Sequence, residues 1–118
     1  MEIRSRDDSS PFTTVDGSTI RVLLDGETGT RNQSLAEAWL EPGQETQRHY
    51  HARSEELYVL LDGEGEIEVD GERSHVGPGQ AILIPPGARH QIRASDGGPL
   101  RFLCCCAPPY AHEDTFFD

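Results

Sequence analysis

Two histidines one residue apart, His49-Tyr50-His51, are the first residues in this chain with an evident chemical use. On a β-strand the side chains of residues i and i+2 share a face, so both imidazoles can converge on one ion. An acidic pair, Glu55-Glu56, follows beyond Ala52-Arg53-Ser54, and a third histidine, His90, comes soon after the tight turn Pro85-Pro86-Gly87. Three imidazoles and one carboxylate carried on strands suit a divalent transition metal. A lone His-x-His is also what two surface histidines in a polar loop look like. The pattern therefore needs a frame that turns these residues inward.

That frame reads as all-β. Twelve glycines and eight prolines punctuate short apolar stretches, and no segment sustains a helical period. Strands are expected over Thr19–Leu24, Leu35–Leu40, Gln47–His51, Glu56–Leu61, Gly65–Val69, Ala81–Ile84, His90–Ala94 and Leu100–Cys106. From Glu64 to Asp70 the glutamates alternate with Gly65, Ile67 and Val69, one set on each face. Asp62-Gly63 and Asp70-Gly71 bracket that strand with dipeptides that tolerate the positive φ of hairpin turns. The acidic, serine-rich stretch Arg6–Ser10 and the tail after Pro109 read as arms with no structure of their own. An alternative for His112 is a tail folded across a barrel mouth. His75 and His112 otherwise read as surface residues.

Composition narrows the function. The 118 residues suffice for one domain, taken as 1–118, with an N-terminal arm over 1–17 and a tail over 109–118. Basic residues number 10 against 21 acidic ones, a formal net charge of −11, and every cation is an arginine. Without lysine there is neither a Schiff base nor a phosphate-cradling P-loop. The acidic excess repels nucleic acid and anionic lipid, so neither is an expected partner. No apolar run approaches a membrane span or a signal-peptide core. Three adjacent thiols, Cys104, Cys105 and Cys106, suit a reducing compartment better than a disulfide framework, which places the chain in the cytoplasm.

The spacing of the candidate residues resembles the two conserved motifs of the cupin superfamily. Gly43 is followed by five residues, then His49-Tyr50-His51, four residues, Glu56, six residues and Gly63. A second block runs from Gly79 through five residues to Pro85-Pro86-Gly87, then two residues to His90. The resemblance spans about residues 35–108. It departs at Gln80, where cupins usually carry aspartate, and at Ala94, where they usually carry asparagine. The resemblance implies a double-stranded β-helix (jelly-roll) barrel and the ligand set His49, His51, Glu56 and His90. Glu55 is the rival carboxylate, and the six-residue gap to Gly63 favours Glu56.

With those ligands facing inward, strand parity nominates Gln47, Tyr58, Ile92, Phe102 and Cys104 as pocket residues. For Phe102 and Cys104 on the last strand the competing assignment is plain barrel filling, and no catalytic residue is assigned. Four protein ligands leave two positions on an octahedral ion for a small oxygenated substrate, which favours Fe(II) or Mn(II), with Ni, Co and Zn as alternatives. The resemblance implies a dioxygenase, isomerase or lyase acting on a small molecule. A non-catalytic module binding a sugar or organic acid is the alternative. Leu57, Val59 and Leu61 make an apolar row opposite Tyr58, which predicts a homodimer.

Overall fold

A computed structural model describes all residues 1–118. Eleven strands run β1 (Phe12–Thr13), β2 (Thr19–Leu24), β3 (Ser34–Leu40), β4 (Tyr50–His51), β5 (Glu55–Asp62), β6 (Gly65–Val69), β7 (Glu72–Val76), β8 (Ala81–Ile84), β9 (His90–Ala94), β10 (Leu100–Ala107) and β11 (Thr115–Phe116). A six-stranded antiparallel sheet has the order β1-β2-β3-β10-β5-β8. A three-stranded antiparallel sheet, β7-β6-β9, is extended by bridges from Glu45 to Arg93 and from His49 to His90. The short pair β4-β11 continues from there.

Alternation places the core. Leu60 on β5, Leu100 and Phe102 on β10, Ile84 on β8, Leu40 on β3 and Ile92 on β9 are all essentially solvent-free between the sheets. The Asp70-Gly71 turn has φ of 49° and 87°, the paired positive values a two-residue hairpin turn demands, and it aligns β6 with β7. Gly63 is held by contact as well as by conformation, because a side chain there would run into the Pro99 carbonyl.

Seven of the eight expected strands form over essentially the expected residues, and the eighth is shortened. Three differences matter for the site. The expected strand Gln47–His51 is regular only over Tyr50–His51, because Thr46 turns inward and its hydroxyl accepts the Ile92 N–H at 3.1 Å. Alternation therefore does not extend back from His49, and Gln47 is exposed rather than in the pocket. The segment after Pro109 is not a loose arm: it forms a short 3₁₀ turn and β11, laid against β4. Gln80, the departure from the family's aspartate, accepts the Gly77 N–H at 2.8 Å and so closes the turn before β8.

Candidate metal centre

Two backbone hydrogen bonds clamp the first histidine to the third. His49 N–H donates to the His90 carbonyl at 3.1 Å, and His90 N–H returns to the His49 carbonyl at 2.8 Å. The Gly87 N–H donates to the His51 carbonyl at 2.7 Å, so the Pro85-Pro86-Gly87 turn docks on β4. Glu56 enters from β5, opposite Ile84 on β8 and Cys106 on β10. One ligand atom from each of His49, His51, Glu56 and His90 lies within 4.8 Å of every other, and all four residues are buried. Glu55 points the other way and is exposed.

Each imidazole is oriented through its Nδ1. His49 Nδ1 lies 2.7 Å from the Gln47 carbonyl, His90 Nδ1 2.9 Å from the Ala88 carbonyl, and His51 Nδ1 3.3 Å from the Asp114 carbonyl. A carbonyl only accepts, so Nδ1 carries the hydrogen and each Nε2 presents a lone pair. His51 Nε2 and His90 Nε2 stand 3.4 and 3.3 Å from Glu56 Oε1. Glu56 Oε1 and His90 Nε2 are buried and have no hydrogen-bond partner. Acceptors facing one another in a buried cluster call for a proton or a cation between them, and carbonyl-anchored imidazoles are the usual support for a metal ion. The donor set fits a divalent metal.

Electrostatics follow from this crowding. Burial disfavours the charged form of Glu56, yet the imidazoles of His51 and His90 outweigh burial and hold its carboxyl well below the usual range. Burial pushes His49 down, and neighbouring His90 adds to the shift. For His51 burial is overcome by Glu56, and the net direction is upward. Cys106 donates its thiol to Glu56 Oε2 at 3.2 Å, and burial together with that carboxylate raises the thiol's pKa. Burial and Glu56 likewise keep Tyr58 and Cys104 protonated.

Beside the cluster lies a cavity of about 80 Å³. Tyr58, Phe102 and Cys104 line it, as strand parity leads one to expect. Ile92 is buried in the core and does not face it. His75 is exposed and pairs with Glu64 at 3.1 Å, and exposed His112 meets the Tyr110 hydroxyl at 2.9 Å. Sequence reasoning missed the roles of Asp16 and Asp114. Asp16 Oδ2 lies 3.7 Å from His49 Nε2, while Asp114 accepts the N–H groups of Arg53 and Ser54 between the first two ligand positions and the third. Nothing near them in sequence signals either role. Cys106 shares the strand face of Phe102 and Cys104, and that parity was the available clue to it.

The cupin-domain family model matches residues 37–106, which span both clamped loops and all four clustered residues. This chain belongs to the cupin family. It is 45% identical to the uncharacterised protein MJ1618 of Methanocaldococcus jannaschii, over 92% of this chain and 88% of that one. Among solved structures, the polyketide cyclase RemF of Streptomyces resistomycificus superposes with a TM-score of 0.80 at 28% identity, covering 97% and 89% of the two chains. KdgF of a Halomonas species gives 0.81 over 96% and 97%; at 16% identity it speaks for the double-stranded β-helix fold alone. No helix in this cupin is long and apolar enough to cross a membrane.

Proposed function

We propose that His49, His51, Glu56 and His90 hold one divalent transition metal, Fe(II) or Mn(II) before Ni, Co or Zn, and that this cupin is an enzyme acting on a small oxygenated molecule. The observation that carries this is the buried, partnerless Glu56 Oε1 among imidazoles whose Nδ1 atoms are already committed to carbonyls. A metal held there supplies Lewis acidity or a site for oxygen activation. The chain's own residues do the rest. Main-chain carbonyls fix the rings, Cys106 steadies the second Glu56 oxygen, and Phe102 forms part of the wall of the adjoining cavity. The reaction type is a dioxygenase, isomerase or lyase. The likeness to a polyketide cyclase at 28% identity supports chemistry on a small organic molecule. The three free thiols support a cytoplasmic setting.

Elemental analysis of protein expressed without a chelating tag, paired with oxygen uptake on small diketones, thiols and enolisable acids, tests the assignment. About one metal per chain with turnover of one such compound is expected. Iron with oxygen consumption selects the dioxygenase, and another metal with oxygen-independent turnover selects an isomerase or lyase. A metal-free protein purified with a ligand in its barrel contradicts the proposal and favours a non-catalytic binding module.

A further inference from the structure

The cavity beside the cluster has an unusual charge balance. Its wall is mostly apolar, with Ile20 and Val22 on β2, Leu35 and Ala36 on β3, and Phe102 and Cys104 on β10. Its uncharged polar lining is Thr14, Ser18, Ser34, Tyr58 and Tyr110. Its charged lining is acidic, Asp16, Asp25 and Glu56, with no arginine. The arginines on the neighbouring strands are committed elsewhere. Arg21 donates to the Arg6 and Ser9 carbonyls, and Arg101 pairs with Asp62 and Glu37.

Asp16 stands where apolar wall and cluster meet. The Gln47 N–H donates to its carbonyl at 2.7 Å, which ties the Asp16 turn to the segment entering His49. Its Oδ1 accepts the Ser18 N–H at 2.9 Å and the Ser18 hydroxyl at 2.7 Å. Oδ2 is left facing His49 Nε2 at 3.7 Å. Both of those atoms are acceptors once His49 Nδ1 donates to Gln47, so the gap calls for a donated hydrogen or a cation. Even with a divalent ion in the cluster, the carboxylates of Glu56 and Asp16 match its two positive charges. No net positive charge remains to draw an anion into an apolar cavity, where an unpaired charge is costly.

We infer that this cavity takes a small, uncharged, largely apolar molecule that donates a hydroxyl to Asp16 Oδ2, and that it discriminates against carboxylates and phosphates. The inference rests on the proposed function for placing chemistry at the cluster. The preference itself belongs to the cavity wall and to Asp16, a specificity-determining residue.

Phenol and benzoate share one ring and differ in charge at neutral pH, so they make a matched pair of probes. Ligand-observed NMR titration of each, against metal-free and zinc-loaded protein, measures the preference directly. Phenol is expected to bind at millimolar concentration or below, and at least about tenfold more tightly than benzoate, in both forms. In Asp16→Asn, which keeps an Oδ1 acceptor for Ser18, phenol binding should weaken, benzoate binding strengthen, and the ratio fall towards one. Benzoate binding as tight as phenol, no phenol binding, or an unchanged ratio in Asp16→Asn would each overturn the inference. Failure of the metal assignment shows separately as absent zinc uptake, while the metal-free titration still reports on the cavity.

Discussion

Three imidazoles gathered around one carboxylate, two of them 3.4 and 3.3 Å from Glu56 Oε1, create a titration problem that a bound metal would resolve. Imidazole binds an ion only when neutral, so protons compete for the site. Burial, with His90 beside it, lowers His49 from its ordinary 6.5. As the pH falls through that ordinary value, the unfolded chain takes up this proton first, so stability declines in acid. Glu56 has the same sign, because its folded carboxyl lies below the unfolded one and its contribution is lost at still lower pH. His51 has the opposite sign in metal-free protein: its raised pKa stabilises fully below 6.5, and the benefit is lost as the pH rises through the folded value. A bound metal requires His51 neutral and removes that benefit. Metal occupancy followed by equilibrium dialysis should thus be flat near neutrality and fall cooperatively in acid, with more than one proton taken up per ion released. The stabilisation that metal adds to the thermal midpoint should shrink over the same window. Occupancy indifferent to pH through the histidine range is the contrary result.

The elements that hold these residues differ in how plainly the chain announces them. β6 and the turns flanking it are legible because alternation and Asp-Gly dipeptides are local signals, and the family spacing points to four residues that do come together. The six-residue gap to Gly63 favours Glu56 over Glu55, and along β5, where buried and exposed residues alternate from Glu55 to Leu60, Glu56 is the buried one. β7 is harder to read, since only its last residue is buried and pairing with β6 makes it a strand. β11 is two residues whose pairing with β4 depends on contacts across more than sixty positions. The same distance hides Asp114, whose carboxylate accepts the Arg53 and Ser54 N–H groups while its carbonyl orients His51. Tyr50 stacked on Phe116 at 5.3 Å, with the Arg89 guanidinium 3.8 Å from the centre of the Tyr50 ring, completes this latch. Asp114→Ala should cost about 1–3 kcal/mol in chemical denaturation, as amide donors lose their acceptor, and should weaken metal binding by loosening the tail that orients His51. Unchanged stability and affinity would show that the tail merely covers the site.

At the scale of the molecule, the outer face of the six-stranded sheet is divided. Glu37 on β3 is buried there between Arg6, at 2.8 Å, and Arg101, at 3.2 Å, so the N-terminal segment covers that half. On the other half Leu57 and Val59 of β5 and Leu83 of β8 remain 42%, 37% and 56% exposed. A flat, adjoining apolar row of this kind favours self-association, and we propose a homodimer across it. Sedimentation at micromolar concentration should give a dimer, and Leu83→Asp should give a folded monomer that still binds metal. A wild-type protein that sediments only as monomer would contradict this.

The metal centre itself is tested most directly by titrating metal-free protein with Mn(II) and comparing three variants with the wild type. Wild-type protein and Glu55→Ala should each bind one ion per chain with similar affinity. Glu56→Ala and His90→Ala should lose most of that affinity, since each removes one of four converging ligands. Affinity unaffected by His90→Ala, or a larger loss in Glu55→Ala than in Glu56→Ala, would contradict the assigned centre.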